Sequence, residues 1–330
     1  MEHNYTITHQ EGKQCHITIG SWEPKMELYG AFTRTIAIVD ERVAREFELA
    51  ERFPEMITVV GGEGCKSPEV AQGVWEMLIE MGADRQTVLV GVGGGTVTDL
   101  VGFVAATYMR GVRAVLLPTT LLGQVDAAIG GKCGLNLAGL KNMVGAFCLP
   151  KDVVCDPEWL STLPEREWRC GMAEVIKAAI VGDAELFELL ENSTLDEVRR
   201  DAALCGQIVA RAVAVKCGVV NDDFAEGGVR RVLNLGHTIG HAIEACTSEV
   251  SHGEAVAVGI AEVARMAVER GVMSGEDCAR IVALLERYGL PTTTHLPNEK
   301  LHEALLHDKK NRDGKVGWVL PTGIGKLPKF

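Results

Sequence analysis

The sequence predicts an α/β N-terminal domain built on a mostly parallel sheet, followed by an all-α C-terminal domain. Two patterns point to this fold class. Short β-branched or aliphatic segments alternate with helical patterns in the first half, whereas the hydrophobic period is helical almost throughout the second half. A chain of 330 residues suits two domains of about 150 residues each. We therefore place an α/β domain at residues 1–158 and a helical domain at residues 159–330.

The α/β domain is predicted to begin with an edge hairpin, because residues 5–8 and 16–19 alternate apolar and polar side chains around a polar turn. Four short aliphatic strands follow, at residues 35–39, 57–60, 87–91 and 114–117. A helix is predicted over residues 68–81, where one face carries the apolar residues Val70, Val74, Met77 and Leu78. Strands that are separated by helices pair in parallel, and the resulting sheet is covered on both faces.

The helical pattern starts after a proline-punctuated stretch, which we interpret as the crossover between the two domains; its prolines are Pro150, Pro157 and Pro164. Beyond it, helices are predicted at residues 165–180, 184–191, 195–219, 232–246, 254–271, 275–288 and 301–307. The glycine-rich tail at residues 309–330 is expected to be extended.

Composition and charge restrict the class of protein. With 47% hydrophobic and 24% charged residues the chain can bury a core, and its net charge of -12 argues against nucleic-acid binding, which needs a basic face. Continuous apolar runs are far shorter than the roughly 20 residues of a membrane helix, and the polar N-terminus has no hydrophobic signal core. The 10 cysteines form no CxxC pair and lie in apolar stretches. These features favour a cytoplasmic protein with reduced thiols and no membrane partner.

A glycine-rich loop follows the strand at residues 87–91. Gly93, Gly94 and Gly95 lead into a helix, so free backbone N–H groups and the helix dipole could receive a pyrophosphate, as in Rossmann-like domains. The spacing matches GxGxxT rather than GxGxxG, and a tight turn without a ligand is the alternative interpretation. Residues 130–133 lack the upstream glycine and the final hydroxyl of a P-loop, which favours a dinucleotide over a nucleoside triphosphate.

Three histidines late in the chain form a candidate metal site. His237 and His241 are four residues apart and share a helix face, and His252 follows after a short loop. Thr238 stands where zinc proteases carry their catalytic glutamate, so a protease is excluded. A catalytic zinc usually takes three protein ligands, and Glu174 in an apolar helical stretch could supply a carboxylate; a salt bridge from Glu174 to Lys177 is the alternative.

Several longer strings of residues occur in one order along the chain. They include GGGTVTD at 93–99, ATYMRG at 106–111, KNMVGAF at 141–147, MAEVIK at 172–177, LNLGHTIGH at 233–241 and SHGEAV at 251–256. Further matches are residues 118–122, 124–126, 130–132 and Asn136. Together these strings resemble the 3-dehydroquinate synthase family of sugar-phosphate cyclases, and they cover most of residues 58–310.

The resemblance implies an NAD-dependent and divalent-metal-dependent phosphorus–oxygen lyase of the shikimate pathway, with its active site in the cleft between the domains. Members convert 3-deoxy-D-arabino-heptulosonate 7-phosphate to 3-dehydroquinate and phosphate. The steps are oxidation by NAD, β-elimination of phosphate, reduction, ring opening and intramolecular aldol closure. The metal would be zinc or cobalt, either of which suits a Glu/His/His ligand set.

The resemblance also implies roles for individual residues. Glu174, His237 and His252 resemble the metal ligands, and His241 is similar to a histidine that bonds the substrate region instead. The substrate-contacting set is Asp126, Lys132, Asn142, Lys177, Lys216, Arg230, Asn234 and Lys309 or Lys310. The cofactor-binding set is Asp40, Glu63 and Lys66 at the adenosine end, with Gly93, Gly94, Gly95, Thr96, Asp99, Thr119, Thr120 and Lys141. Arg110 resembles an arginine that reaches the phosphate site of the neighbouring subunit, which implies a homodimer.

The sequence departs from the family pattern at a few places. Ala127 and Ala128 stand where serine is frequent, Cys133 where threonine is, and Arg42 where a ribose-binding asparagine is common. Two other enzymes on this scaffold remain alternatives: a sister cyclase acting on another sugar phosphate, and a metal-dependent polyol or glycerol-phosphate dehydrogenase. The basic segment at residues 308–311, with Arg230 and Asn234, favours a substrate that carries a carboxylate. A regulatory protein with a degenerate site would lack ligands or pocket lysines, yet all are present.

Overall fold

The structure is a computed structural model that describes residues 2–9, 12–306 and 317–330 of the chain. Its contacts divide the chain into two compact units, Met1–Leu163 and Pro164–Phe330. The first unit is an α/β structure and the second is helical, which confirms the predicted fold class.

Within the described part of the first unit, seven strands form one sheet in the order β1-β2-β9-β6-β5-β3-β4. Their bounds are β1 His3–Thr8, β2 Gln14–Ile19, β3 Thr35–Asp40, β4 Met56–Val59, β5 Val88–Gly93, β6 Arg113–Pro118 and β9 Asp152–Cys155. Neighbouring strands are parallel except β1 and β2, which form the predicted antiparallel edge hairpin. The central strands are buried along their length, as expected when helices cover both faces.

Four helices of the first unit are α1 Glu23–Phe32, α2 Glu41–Glu46, α3 Pro68–Glu80 and α4 Gly95–Thr107. Helix α3 begins at Pro68 because the Ser67 side chain accepts from the Val70 backbone N–H and proline occupies the first helical position. Met77, predicted on the apolar face of this helix, is instead 42% exposed. Helix α4 begins directly after β5 and packs buried side chains against the sheet, among them Val97, Leu100 and Val101. The glycine-rich loop therefore lies at the carboxyl end of a central strand.

Helix α1, strand β9 and a two-stranded hairpin of this unit escaped the sequence prediction. Helix α1 lies in a stretch without an assigned pattern, and strand β9 lies inside the stretch that we interpreted as a crossover. A two-stranded antiparallel hairpin, β7 Lys132–Leu137 and β8 Leu140–Phe147, follows β6. Its strands carry glycines and polar residues, and β8 is almost wholly exposed, so it shows no core-facing alternation.

The described residues of the second unit are mainly helical. The helices are α5 Glu165–Gly182, α6 Ala184–Glu191, α7 Leu195–Arg200, α8 Ala202–Asp222, α9 His237–Cys246, α10 His252–Glu269, α11 Gly275–Arg287 and α12 Asn298–Leu306. The single helix expected at 195–219 is wrong, because the Asp201 side chain caps a new helix by accepting from the N–H groups of Ala203 and Leu204. The helix expected at 232–246 is also interrupted, since Gly236 adopts a φ of 78° and α9 starts after it.

Helix α8 is long and apolar enough to cross a membrane by length and composition, which the short continuous apolar runs of the sequence did not indicate. However, 56% of its most apolar window is buried inside the protein, as is usual for a core helix. Among its buried residues are Ile208, Val209 and Val213. The apolar character of α8 is therefore explained by packing within the second unit.

Candidate functional site

Three helices of the second unit bring Glu174, His237 and His252 together. Glu174 lies in the middle of α5, and the two histidines are the first residues of α9 and α10. One ligand atom from each residue lies within 4.8 Å of the other two. The Nε2 atoms of His237 and His252 are 3.5 and 3.6 Å from Glu174 Oε1. We call this group the triad; its geometry is one that could hold a metal ion.

Local sequence places both histidines at helix starts. Gly236 takes the left-handed conformation that lets the chain turn into α9 at His237. Ser251 caps α10 through a capping box with Glu254, in which each side chain bonds the other residue's backbone N–H. His252 therefore stands at a helix terminus whose position is fixed by local hydrogen bonds.

Glycines allow the helices that carry the triad to approach closely. A Cβ atom on Gly253 would lie 2.3 Å from the carbonyl oxygen of Cys170 on α5. A Cβ atom on Gly259 would lie 1.9 Å from the carbonyl oxygen of Gly236. Any larger residue at these positions would force α10 away from its neighbours, and the distances within the triad depend on these contacts.

The triad is strongly charged and buried. Glu174 and Lys177 are each 2% exposed, and the Lys177 ammonium is in ion-pair contact with the Glu174 carboxylate. Burial raises the pKa of Glu174, but the charges of Lys177 and His252 outweigh this and hold the pKa at about 2. Burial lowers the pKa of His252, but Glu174 and Glu244 reverse this and raise the pKa to about 9.

Each triad histidine has a neighbour at its second ring nitrogen. Nδ1 of His237 lies 3.2 Å from the carbonyl oxygen of Leu235, and Nδ1 of His252 lies 3.1 Å from Oε2 of Glu244. The ring of His241 lies 5.5 Å from that of His237 and 6.5 Å from that of His252. His241 is therefore beside the triad, although helical spacing alone made it a candidate ligand.

Predicted substrate residues of the second unit are largely buried. Lys216 on α8 is 8% exposed and Arg230 is 2% exposed. The Arg230 loop is organised by Asp223, whose carboxylate accepts from the backbone N–H groups of Gly227, Gly228 and Arg230. The Arg230 guanidinium donates to the Phe224 carbonyl oxygen, and the Asn234 amide donates to Glu226 at 2.9 Å. Lys309 and Lys310 lie outside the described residues.

In the first unit, the glycines of the loop at 93–95 lie so close to neighbouring residues that larger side chains would not fit there. Gly94 is the N-cap of α4 and has no side chain to cap it. Cβ atoms on Gly93 and Gly95 would lie 2.7 and 2.8 Å from the Cβ atoms of Val97 and Ala127. Thr96 is the second residue of α4, so the loop presents a helix N-terminus with backbone N–H groups, as predicted for a phosphate-binding turn.

The segment after the neighbouring strand β6 meets the same loop. The Thr119 backbone N–H donates to the Gly93 carbonyl oxygen at 2.9 Å. The Thr120 hydroxyl accepts from the Gly123 N–H at 3.0 Å and its methyl group lies against Gly94. Asp126 follows in a single π-helical turn, Gly123–Ala127. Thr119, Thr120 and Asp126 thus lie at the carboxyl ends of the central strands, beside the glycine loop.

A buried lysine connects several predicted residues. Lys66, 5% exposed, donates from Nζ to Asp99 Oδ2 at 2.5 Å and to Asn142 Oδ1 at 2.6 Å. Asn136 donates to Glu63 at 2.8 Å and accepts from the Asn142 backbone N–H at 2.9 Å. This network ties helix α4 to the β7–β8 hairpin and to the turn after β4. Lys132 and Lys141 are exposed on the same hairpin.

Two further predicted residues are Asp40, at the end of a strand, and Arg110, in a turn with positive φ angles. Asp40 ends β3, accepts from the Arg42 N–H at 2.9 Å and lies so close to Gly61 that a Cβ there would be 1.8 Å from Oδ2. Arg110 is exposed in a turn where Met109, Arg110 and Gly111 have φ values of 50°, 67° and 119°. Consecutive left-handed non-glycine residues are strained, and such strain is concentrated at functional sites.

Sequence reasoning missed three carboxylates that hold predicted residues in place: Glu244, Asp223 and Glu226. Glu244 follows His237 by seven residues on α9, so its helical spacing could have placed it on the same face. Asp223 and Glu226 precede the glycines at 227–228 in the connection between α8 and α9 and give no comparable signal. Asn136 matches the family pattern as a single residue, and its bonds to Glu63 and Asn142 leave no signal in the sequence.

Comparison with known proteins matches consecutive parts of the chain to one family. A family model described as 3-dehydroquinate synthase N-terminal matches residues 56–170, and one described as 3-dehydroquinate synthase C-terminal matches residues 171–311. The 3-dehydroquinate synthase of Solibacter usitatus is 44% identical over 276 residues, which are 83% of this chain and 77% of that protein. That of a Synechococcus strain is 41% identical over 322 residues, 93% of this chain and 87% of that protein.

Solved structures of sugar-phosphate cyclases have the same fold. The 2-epi-5-epi-valiolone synthase from Streptomyces hygroscopicus, with NAD+ and Zn2+ bound, matches with a TM-score of 0.88 and 28% identity over 99% of this chain and 94% of that chain. A 2-deoxy-scyllo-inosose synthase complexed with carbaglucose-6-phosphate, NAD+ and Co2+ matches with a TM-score of 0.87 and 26% identity, with the same coverage of each chain.

Proposed function

The chain belongs to the 3-dehydroquinate synthase family, and from that premise we propose that it converts 3-deoxy-D-arabino-heptulosonate 7-phosphate to 3-dehydroquinate and phosphate. The observation that carries this proposal is the convergence of Glu174, His237 and His252, whose ligand atoms lie within 4.8 Å of one another beside the buried Lys177. A buried cation beside a potential metal site suits a substrate that carries both a carboxylate and a phosphate.

The triad fits a divalent metal ion. One carboxylate and two imidazoles form a ligand set used by catalytic zinc sites, which keep a further position open. Lys177 pairs with Oε2 of Glu174, whereas Oε1 faces Nε2 of His237 and His252 at 3.5 and 3.6 Å and is placed to share one ion with them. Glu174, His237 and His252 would hold zinc or cobalt, the ions bound in the two cyclase structures.

The glycine loop fits the pyrophosphate of NAD, because its missing side chains leave the N-terminal N–H groups of α4 accessible to a phosphate oxygen. Asp40 at the end of β3 suits the hydroxyls of the adenosine ribose. Glu63, Lys66, Asp99, Thr119, Thr120 and Lys141 complete the proposed cofactor-binding set. When bound, NAD supplies a reversible hydride acceptor and the metal ion supplies a Lewis acid for substrate hydroxyls.

Residues of the chain would bind and orient the substrate. Lys177, Lys216 and Arg230 are buried cations that can pair with its anionic groups, although the whole protein has a net charge of -12. Asp223 fixes the loop that carries Arg230 and thereby pre-orients its guanidinium. Lys132, Asn142, Asn234 and Lys309 or Lys310 complete the proposed substrate-binding set. His241 and Asp126 could hold or move the proton of a substrate hydroxyl through a ring nitrogen and a carboxylate oxygen.

We also propose that the protein is a cytoplasmic homodimer in which Arg110 completes the phosphate site of the partner subunit. The strained turn that presents Arg110 supports this role. Mixing inactive R110A and H252A variants under conditions of subunit exchange should restore about a quarter of wild-type activity, since half the dimers are mixed and each has one intact site. No recovery, with exchange shown by light scattering and tagged subunits, would contradict a shared site.

The proposed function is tested by phosphate release from the heptulosonate phosphate. Catalytic amounts of NAD should support many turnovers, and dialysis against a chelator should abolish them until zinc or cobalt is restored. H252A should lose metal binding and turnover together. Full activity after verified metal removal would overturn the metal assignment, and NADH accumulating in proportion to product would indicate a dehydrogenase instead.

The structural likeness to other cyclases favours one competing function, a sister cyclase. A panel of sugar phosphates decides between them, because a carboxylate-free substrate leaves the carboxylate-binding cations without their partner. We expect turnover of the heptulosonate phosphate and at most traces with glucose 6-phosphate or sedoheptulose 7-phosphate. Faster turnover of either of these would overturn the synthase proposal. The greater sequence identity to 3-dehydroquinate synthases, 41–44% against 26–28% for the cyclases, supports the synthase.

A further inference from the structure

We propose that Glu244 is a positioning residue for the metal site, acting through His252. His252 faces Glu174 with Nε2, at 3.6 Å from Oε1, and faces Glu244 with Nδ1, at 3.1 Å from Oε2. A carboxylate accepts a hydrogen bond, so Nδ1 must carry the hydrogen. In the neutral imidazole this leaves the Nε2 lone pair directed at the triad, which is the form that coordinates a metal. The inference rests on the proposed metal site.

The fold holds Glu244 in this position. Glu244 lies on α9, seven residues after His237 and three after His241, so all three side chains are on one helix face. Its side chain is only 8% exposed. Helix α9 thus supplies a triad histidine directly and orients the other one through Glu244, whereas His252 itself comes from α10.

Close packing of α9 on α10 restricts the movement of the Glu244 carboxylate relative to the His252 ring. A Cβ atom on Gly240 would lie 3.2 Å from the backbone nitrogen of Val256, within a turn of His252. The backbones of the two helices therefore nearly touch beside the triad, and the Glu244 carboxylate cannot withdraw from Nδ1 without a rotamer change in a mostly buried site. The hydrogen bond fixes the plane of the His252 ring as well as its tautomer.

The two triad histidines differ in a way that makes the proposal testable. Nδ1 of His237 faces a backbone carbonyl oxygen, that of Leu235, which no side-chain substitution removes. Nδ1 of His252 faces a side chain, so substitution of Glu244 changes the orientation of one ligand only. Partners of this kind typically contribute about 10–100-fold to metal affinity.

The experiment measures zinc affinity of purified full-length protein by competition with a chromophoric chelator, comparing wild type with E244A, E244Q and E249Q. Glu249 is exposed in the loop between α9 and α10, so E249Q removes the same charge nearby and serves as the matched control. We expect E244A to lose about 10–100-fold in affinity. E244Q keeps an acceptor oxygen and should show a smaller loss, and E249Q should match the wild type.

A spectroscopic measurement separates positioning from a general loss of structure. The visible absorption of the cobalt-loaded protein at saturation should change in E244A and return toward wild type in E244Q, because it reports ligand geometry. An E244A affinity within twofold of that of E249Q, with an unchanged cobalt spectrum, would overturn the proposal. If E244A does not fold, E244M replaces it under the same criterion, because methionine fills the volume of glutamate without its acceptor oxygens. Failure of the wild type to bind zinc would instead remove the metal site itself, together with this inference.

Discussion

Glutamine in place of Glu174 should destabilise the metal-free protein at neutral pH. The folded protein holds the pKa of Glu174 at about 2, against an ordinary value of 4.5. The difference between these values corresponds to about 3 kcal/mol of stability at pH 7. Breaking a buried pair by removing one partner costs a similar amount, about 3–5 kcal/mol, because the Lys177 ammonium stays buried after its carboxylate partner is gone.

The direction of the pH dependence follows from the same pKa. Because the folded-state pKa lies below the unfolded-state value, the stabilisation is complete above about pH 4.5 and is lost as the pH falls toward 2. The difference between wild type and E174Q should therefore be largest near pH 7 and should narrow below pH 4.5.

Thermal unfolding after chelator dialysis measures this effect. A loss of about 3 kcal/mol in a unit of this size corresponds to a decrease of roughly 6–12 °C in the unfolding midpoint. E167Q is the matched control, since Glu167 is exposed on the same helix and should change stability by less than about 0.5 kcal/mol. Adding K177M to E174Q should recover part of the loss. Equal midpoints for E174Q and E167Q at pH 7 would show that the buried Glu174–Lys177 pair does not stabilise the metal-free protein.

Three other outcomes are expected. G253A should weaken zinc binding and lower the unfolding midpoint, since its Cβ would lie 2.3 Å from the Cys170 oxygen; a normal zinc affinity would contradict this. G95A should weaken NADH binding, measured by fluorescence titration, by about 5–150-fold for an overpacking cost of about 1–3 kcal/mol, and an unchanged Kd would argue against the cofactor loop. Burial raises the pKa of Cys170, Cys205 and Cys217 to about 12, so these thiols should resist Ellman's reagent at pH 8; rapid reaction of all three would show that they are accessible.

Local pattern accounts for what the sequence predicted well. Aliphatic strands that lead into helices were placed within a few residues, and the helix predicted at 184–191 was confirmed as Ala184–Glu191, because a strong period of buried residues leaves little choice. Strand order was beyond such reasoning. Strand β9 pairs with β2 on one side and β6 on the other, and this long-range pairing of a four-residue strand leaves no local trace.

In the candidate site, too, local spacing could be predicted from the sequence, whereas contacts between distant segments could not. Helical spacing selected His237 and His241 as neighbours, and the structure indeed places their rings 5.5 Å apart. Spacing could not show that the chain reverses between α9 and α10 and so brings His252 to Glu174. Residue chemistry made both of them candidate ligands, and the family resemblance then implied that they, rather than His241, complete the ligand set. Glu244 was overlooked because a glutamate on a helix is usually a solvated surface charge, and its burial depends on the packing of α10.

The origin of the triad in three separate helices sets the order of events during assembly. Residues 174 and 252 are distant along the chain, so no part of the unfinished polypeptide that ends before α10 contains all three donors. Coordination of the ion by all three donors is therefore complete only once α5, α9 and α10 have docked. During stopped-flow refolding, the signal from a zinc-sensitive dye should therefore change late, after helical circular dichroism has already recovered.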